Sequence, residues 1–330
     1  MKKVVNILKY ILFLSLGFGV FFYVYPLDAI QEIWEKLKEA NYIYIIPVVF
    51  MSLSAHYSRA LRWKMLLDPL GYPTKAFSGF RSIMIGYYFN TIVPRMGEVS
   101  RCVALNRIDK VPVSASLGTV ITERIFDLMS LAAVVGLTIL LEFDLVGDLI
   151  IDLFSDKVKG AGGLLSWKVL LALIALLVLA YIGILILKKI GLYAKIIKLL
   201  AEFKNGVISV RKLKNPMAFI GHTVFIWASY FAMCYLSFFT LPETSGLGLG
   251  AGLVVFTLST IGFIAPVPGG VGTYQYMFTM ALSLYFIDDL AGKAVAMIAF
   301  LVNTVLNLVV GAIALFFSPK DNADASLSEE

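Results

Sequence analysis

The sequence predicts an all-α polytopic membrane protein with about six full spans and two re-entrant helical hairpins. Hydrophobic residues make up 59% of the 330 residues and charged residues only 15%, whereas soluble domains carry about 25% charged residues. Long apolar runs recur along the chain, as expected of membrane-spanning helices. Two Pro/Gly-rich segments, 94–98 and 266–272, interrupt apolar stretches. Helix breaks at membrane depth are tolerated only where protein or water satisfies the freed backbone groups.

The apolar runs define the candidate spans. The first run follows Lys2 and Lys3 but ends in aromatic residues and Pro26 without a small-residue cleavage site, so we expect a retained span rather than a secretory signal. Two shorter apolar segments, 76–93 and 250–265, run directly into the Pro/Gly breaks. The full spans are predicted at residues 5–25, 43–61, 124–142, 167–187, 217–241 and 292–317.

The charges of the loops predict the orientation. The connector 188–215 carries eight Lys and Arg residues against one acid, Glu202, and basic loops stay on the cytoplasmic side. The basic N-terminus agrees with this, and the acidic loops at 28–39 and 142–156 fall on the other side. We therefore expect an integral protein of the cytoplasmic (inner) membrane with its N-terminus and C-terminus in the cytoplasm. The polar tail, 321–330, is expected to be disordered.

This orientation constrains the two broken segments. Residues 76–108 must enter and leave on the inner side, whereas residues 250–287 must enter and leave on the outer side. Each is therefore predicted to be a re-entrant hairpin, and the two point in opposite directions. Within a single membrane domain of residues 1–320, half one (43–142) and half two (217–317) then form an inverted repeat, an arrangement typical of transporters.

Ionisable residues near the first break form the candidate binding site. A charged side chain at membrane depth costs roughly 2.5 kcal/mol or more, so it normally faces a cavity or a partner. Arginine holds phosphate through two parallel hydrogen bonds, which favours recognition of a lipid head group. A set of internal salt bridges that locks the hairpin remains the alternative. The candidate residues are Asn90, Arg95, Glu98, Arg101, Glu123, Arg124 and Asp127.

The hairpin tips contribute backbone rather than charge. At the second tip, glycine residues permit positive φ, and successive N–H groups would form an anion-binding nest; a tight turn packed in protein is the alternative. Arg59, Arg62 and Lys64 lie near the inner interface and are interpreted as anchors whose charges reach toward water. The tip residues are Pro94, Gly97, Pro266, Pro268, Gly269, Gly270, Gly272 and Gln275.

Catalytic and metal-binding motifs are not visible in the sequence. His56 and His222 lie in different spans without ligand spacing, and no nucleophile elbow, Walker loop or CxxC motif is present. We therefore expect no cofactor and no metal.

Together the charged residues and the two breaks resemble the flippase-like integral membrane proteins related to the transmembrane region of lysylphosphatidylglycerol synthase. The resemblance covers about residues 5–317. It implies lipid translocation: in multiple-peptide-resistance proteins such a region moves aminoacylated phosphatidylglycerol made by a separate soluble domain. The motifs that carry it are Arg62-Trp63, Asn90, segment 94–98 with Arg101, Glu123-Arg124 with Asp127, and segment 266–272.

Two departures limit what the resemblance implies. The aminoacyl-transferase domain of the bifunctional synthases is absent, so synthase activity is not implied. Gln275 stands where the family often has an acid, so a charge-dependent role at the second tip is not implied either.

We therefore expect a flippase, not an enzyme, that moves a phospholipid or lipid-linked intermediate between leaflets, with the head group held between the hairpins. The expected partners are membrane lipids with a phosphate-bearing head group, and no nucleic acid. A homo-oligomer and a separate lipid-synthesis enzyme remain open. The alternatives are a membrane-embedded lipid-modifying enzyme or glycosyltransferase, and a non-transporting scaffold of an envelope-lipid pathway.

Overall fold

The computed structural model describes residues 2–94, 96–143, 210 and 213–318, with side chains from residue 12 onward. Short 3₁₀ turns join several of the helices, and no strand occurs in these ranges. The helices are α1 (Lys2–Val24), α2 (Ile30–Glu39), α3 (Ile45–Leu67), α4 (Ala76–Ile92), α5 (Met96–Asp109), α6 (Val113–Leu141), α7 (Pro216–Ser237), α8 (Pro242–Ser245), α9 (Leu249–Ile264), α10 (Thr273–Ser283) and α11 (Asp289–Phe316).

Three of the described helices are long and apolar enough to cross a membrane, namely Val113–Leu141, Pro216–Thr240 and Asp289–Phe316. They coincide with the predicted spans 124–142, 217–241 and 292–317. Helix α6 begins well before residue 124, because Pro112 precedes an uninterrupted helical stretch. Glu123 and Arg124 therefore lie inside a helix rather than at its start.

The other predicted spans fare differently. Residues 5–25 and 43–61 fall largely in α1 and α3. Helix α3 is not among the three helices with the length and hydropathy of a span, and the part of α1 whose side chains are described, Leu12–Val24, is apolar but shorter than a span. The predicted span 167–187, most of the connector 188–215 and the tail 321–330 lie outside the described residues. The count of six spans remains a prediction.

A pair of helices lies at each Pro/Gly break. In the first hairpin, α4 ends at Ile92, extended backbone at Val93 reverses the chain, and α5 starts at Met96. The two helices approach so closely that a Cβ on Gly86 would lie 2.7 Å from the carbonyl oxygen of Gly97. Only glycine allows this separation, which brings the backbones of α4 and α5 into direct contact.

The second hairpin, α9 and α10, is closed in the same way. A Cβ on Gly262 would collide with the carbonyl oxygen of Thr273. Its tip has a positive φ at Gly269, Gly270 and Gly272, a conformation that glycine adopts without a steric penalty. Helix α1 packs against this tip.

The helix contacts are matched between the two halves. Helices α3 and α7 pack against each other, and α4 packs on α11 as α6 packs on α9. Within the halves, the contacts α3–α4, α4–α5, α5–α6 and α3–α6 recur as α7–α9, α9–α10, α10–α11 and α7–α11. Exchanging α3 with α7, α4 with α9, α5 with α10 and α6 with α11 therefore reproduces the same set of contacts.

Candidate functional site

A cavity of about 220 Å³ lies where the tips of the two hairpins meet. We call it the tip cavity. The first half supplies its polar wall, and the second tip supplies mainly backbone and apolar side chains. Its lining includes Arg59, Gly86, Tyr87, Asn90, Pro94, Gly97, Glu98, Arg101, Arg124, Phe263, Pro266, Val267, Gly269 and Gly270.

Four arginines and three carboxylates beside the tip cavity form one network of ion pairs, the charge cluster. Helical spacing explains how they meet. Each of α3, α5 and α6 presents charged residues three or four positions apart, and such residues share one helix face. The members are Arg59 and Arg62 of α3, Glu98 and Arg101 of α5, and Glu123, Arg124 and Asp127 of α6.

Glu123 lies at the centre of the charge cluster. Its Oε2 accepts a hydrogen bond of 2.6 Å from Arg101, and its Oε1 lies 3.5 Å from Arg62 Nη2. The side chains of Glu123, Arg62 and Arg101 are 1%, 0% and 5% exposed. Charges this deeply buried are tolerated only when paired, so removing one partner is costly.

Asp127, one helical turn further along α6, joins three arginines. It lies 2.7 Å from Arg62, 2.9 Å from Arg59 and 3.4 Å from Arg124. Arg62 thus bridges both α6 carboxylates. The network ties α3 and α5 to the same face of α6.

Arg124 and Glu98 form the exposed edge of the cluster. Arg124 Nε donates to Glu98 Oε1 at 2.7 Å, and both side chains are close to half exposed. Glu98 lies in the first turn of α5, where a negative charge complements the helix dipole. Of the three carboxylates in the cluster, Glu98 is the one that lines the tip cavity.

Aromatic side chains hold the arginines in place. The guanidinium of Arg101 lies 4.9 Å from the ring centroid of Trp63, within the range of a cation–π interaction. Trp63 Nε1 donates to Thr119 at 2.8 Å. Arg59 donates to the hydroxyl of Tyr87 at 2.6 Å. These contacts limit the rotamers available to both arginines.

Donor groups remain unused at the cavity wall. Within the described residues, Arg101 uses only Nη2 and Arg124 uses Nε and Nη1. Among the residues that the structure describes, Arg101 Nη1 and Arg124 Nη2 have no acceptor. The Nε of Arg59 is buried and has none in this part of the chain either. Guanidinium N–H groups in this state are suited to an anionic ligand.

Arg59 and Arg62 correct the sequence interpretation. Their interpretation as snorkelling anchors was wrong, because both are buried and paired with Asp127. Their spacing in the sequence could have indicated this pairing. A spacing of i, i+3 places Arg59 and Arg62 on one helix face, and the i, i+4 spacing of Glu123 and Asp127 places two carboxylates on one face of another helix. Lys64 lies at the surface and pairs with Asp68.

The predicted site residues divide into four groups. Asn90, Glu98, Arg101 and Arg124 line the tip cavity, as do Pro94, Gly97, Pro266, Gly269 and Gly270. Glu123 and Asp127 do not line it, but they form ion pairs with arginines that do. Pro268, Gly272 and Gln275 also lie away from the lining, and Arg95 lies outside the described residues.

The second tip is a closed turn rather than an anion nest. The N–H groups of Gly270 and Val271 donate to Val267 and Pro268. The N–H of Gly272 donates to Gln275 Oε1 at 2.8 Å. Gln275 is fully buried and caps α10, so its amide serves the turn. These three N–H groups are not available to an anion.

No group of three or more His, Cys, Asp or Glu side chains within the described ranges has the geometry of a metal site. The two histidines make polar contacts instead. His56 Nε2 lies 3.1 Å from Asn307 Oδ1, and His222 Nδ1 lies 2.8 Å from Ser58 Oγ.

The long apolar helices and the buried charge cluster define an integral membrane protein. Residues 6–311 match the family described as the lysylphosphatidylglycerol synthase TM region. The chain belongs to this family, which confirms the resemblance noted from its motifs.

Two archaeal proteins are similar to the chain. The UPF0104 membrane protein MJ1595 of Methanocaldococcus jannaschii is 22% identical, and the alignment covers 96% of this chain and 97% of that protein. The UPF0104 membrane protein MJ1078 of the same organism is 26% identical over 69% of this chain and 93% of its own length. No solved structure matches the chain.

Proposed function

We propose that this protein is a lipid flippase, which moves a phospholipid or lipid-linked intermediate between the leaflets of the cytoplasmic membrane. The observation that carries the proposal is the tip cavity between two helical hairpins, whose lining includes Arg59, Arg101 and Arg124, three arginines with unused N–H groups among the described contacts. An anionic head group loses its hydrating water at mid-membrane depth. A transporter that carries it therefore needs hydrogen-bond donors of the protein in place of that water.

The proposed topology has both hairpins re-entrant, the first from the cytoplasmic side and the second from outside. Helices α4, α5, α9 and α10 have 17, 14, 16 and 11 residues, all fewer than the roughly 20 needed to cross the hydrocarbon core. The matched helix contacts support an inverted repeat, and the basic connector supports cytoplasmic termini.

In this proposal Arg101 and Arg124 hold the head-group phosphate. Their free N–H groups lie on α5 and α6, two helices joined through Glu98. Asn90 offers an amide on the opposite helix of the first hairpin. The second tip, whose N–H groups are mostly consumed, closes the cavity without adding charge.

The transport step requires no covalent chemistry. We propose that the lipid leaves unmodified and that a gradient, the membrane potential or downhill equilibration drives its movement. Glu98 is the carboxylate best placed to couple protons, because it lines the tip cavity and is close to half exposed.

The test uses the purified full chain in proteoliposomes with acyl-labelled fluorescent phospholipids. Movement is measured by quenching of the outer leaflet, and lipids are extracted afterwards for mass spectrometry. Transport without new lipid species supports the proposal, and new species support a lipid-modifying enzyme. If neither lipid movement nor new lipid species are detected, a scaffold role is the remaining alternative.

Two variants test the arginines in the same assay. Arg124→Gln removes a donor, and Arg101→Lys keeps the charge but loses the planar fork, so each should lower the rate about tenfold. Lys64→Gln, which breaks a surface pair with Asp68, is the matched control and should keep the full rate. Full activity in both arginine variants would exclude this head-group site.

A further inference from the structure

A second, smaller cavity adjoins the tip cavity. Its volume is about 30 Å³, and it shares Tyr87, Asn90, Phe263 and Gly269 with the tip cavity. We call it the side cavity. A space of this size holds one or two water-sized groups, since a single water needs roughly 10–15 Å³.

The side cavity is lined by neutral hydrogen-bonding groups of α11. Asn307 Nδ2 donates to Asn303 Oδ1 at 3.4 Å, and Asn307 Oδ1 lies 3.1 Å from His56. Within the described residues, the Asn90 amide, the Asn303 amide nitrogen and the Thr304 hydroxyl form no hydrogen bond, although all three line the space. Amides and hydroxyls of this kind match the hydroxyl groups of a ligand.

Counted over the described residues, the charge cluster has a formal charge of +1, because it contains four arginines and three carboxylates. Each carboxylate is already paired with at least one arginine. A single negative charge therefore compensates the described cluster. An ammonium group would instead meet guanidinium groups at the cavity wall, where the lining carboxylate, Glu98, already accepts from Arg124. Like charges in a partly buried site are strongly unfavourable.

We propose that the preferred head group is a phosphodiester with one negative charge that carries a hydroxylated arm and no amine. The phosphate occupies the tip cavity beside Arg101 and Arg124, and one hydroxyl enters the side cavity beside Asn303 and Thr304. This inference rests on the proposed transport of lipids and specifies which lipids are carried.

Three phospholipids that differ only in the head group test the proposal in proteoliposomes. Phosphatidylglycerol has the phosphodiester and hydroxyls, phosphatidylethanol keeps the charge but lacks hydroxyls, and phosphatidylethanolamine adds an ammonium. A site that hydrogen-bonds a hydroxyl discriminates against the analogue that lacks it. We expect phosphatidylglycerol to move about tenfold faster than phosphatidylethanol, and phosphatidylethanolamine to be the slowest.

The side cavity is tested separately by Asn303→Leu and by Thr304→Val, which removes a hydroxyl at nearly constant volume. Each should reduce the preference for phosphatidylglycerol over phosphatidylethanol about threefold or more. Ser283→Ala removes an exposed hydroxyl on α10 that bonds its own helix, and it should keep the preference. Gel filtration and the unfolding temperature in detergent establish that each variant is folded.

The outcomes separate the two proposals. If all three lipids move equally, or if Asn303→Leu and Thr304→Val both keep the preference, the head-group inference is wrong and lipid transport stands. If only water occupies the side cavity, both Asn303→Leu and Thr304→Val will keep the preference for phosphatidylglycerol. If no lipid moves in any preparation of folded protein, the transport proposal itself fails.

Discussion

The first hairpin carries charged and polar side chains near its tip, whereas the tip of the second hairpin consists of Pro, Gly and apolar residues. The first is tied to α3 and α6 by buried ion pairs. The second is packed against α1 and capped by the amide of Gln275. Both hairpins use a glycine contact to close. The two hairpins thus share a backbone arrangement but differ in chemistry. The first half contributes charged side chains to the tip cavity, and the second contributes an uncharged turn that closes it.

The largest expected difference between the halves concerns Glu123. Glu123→Ala removes the carboxylate partner of Arg101 and one of the two partners of Arg62, so it should lower the free energy of unfolding by about 3–5 kcal/mol. Reversible unfolding in mixed micelles, followed by circular dichroism, measures this change.

Two control variants accompany Glu123→Ala. Glu98→Ala breaks a pair whose side chains are close to half exposed and should cost about 0–1 kcal/mol. Glu123→Gln keeps the volume and should remain clearly destabilised. Equal stabilities for Glu123→Gln and the parent protein would show that buried charge does not distinguish the first half.

The closure of the hairpins should be equally sensitive in both halves. Gly86→Ala and Gly262→Ala each place a methyl group against the backbone of the facing helix, so each should cost about 1–3 kcal/mol. Gly118→Ala on α6 meets no atom within 4 Å and should stabilise the helix by up to about 1 kcal/mol. Unfolding measured as above checks this, and an effect confined to one hairpin would contradict the matched architecture.

The cap of α10 belongs to the second tip alone. Gln275→Leu removes the acceptor of the Gly272 N–H and should cost about 1 kcal/mol, as loss of a helix cap does. Gln275→Glu keeps an acceptor oxygen, but it places a carboxylate at a fully buried position and should therefore not recover the stability of the parent protein. Hydrogen exchange at the Gly272 amide measures the local effect, and an unchanged exchange rate in Gln275→Leu would exclude the cap.

The smallest expected effect involves Glu243 of α8 in the second half, which forms an ion pair with Lys36 of α2. The hydrogen bond from Lys36 lowers the pKa of Glu243, and the same bond raises the pKa of Lys36. Stability from this pair is complete above the ordinary glutamate pKa of about 4.3 and is lost as pH falls through the lowered pKa. It is also lost as pH rises through the raised pKa of Lys36.

The unfolding temperature as a function of pH tests this pair. The difference between the parent protein and Glu243→Gln should be constant near neutral pH and should shrink at both extremes. A difference that grows in acid would contradict the assigned direction, because protonation of Glu243 removes the ion pair.

The sequence predicted the positions of both helix pairs and nine of the residues that line the tip cavity, among them Asn90, Glu98 and Arg101. Proline and glycine in an apolar run leave few alternatives to a break, and Arg, Glu and Asn at membrane depth need partners. The roles of Arg59 and Arg62 were missed because hydropathy locates a charge along a span but not its partner on another helix. Glu123 was expected in the cavity, yet it lies behind it.

The closed turn of the second tip could not be inferred from composition either. Glycine permits a nest and a tight turn alike, and the choice depends on φ at Gly269 and Gly270 and on the side chain of Gln275. Those angles arise from packing against α1 and the first hairpin. Neither contact is encoded locally in segment 266–272.

Helix α1 also has a consequence for how the protein is made. A Cβ on Gly272 would lie 2.6 Å from the backbone nitrogen of Phe21 and would collide with the carbonyl oxygen of Gly17, so α1 and the second tip touch backbone to backbone. Helices α2 to α9 lie between helix α1 and its docking partner in the described order of the chain, so α1 is synthesised well before that partner. Helix α1 is therefore in the bilayer before its native contact partner has been made. Its docking on the second tip is one of the most non-local contacts of the fold and forms late in assembly.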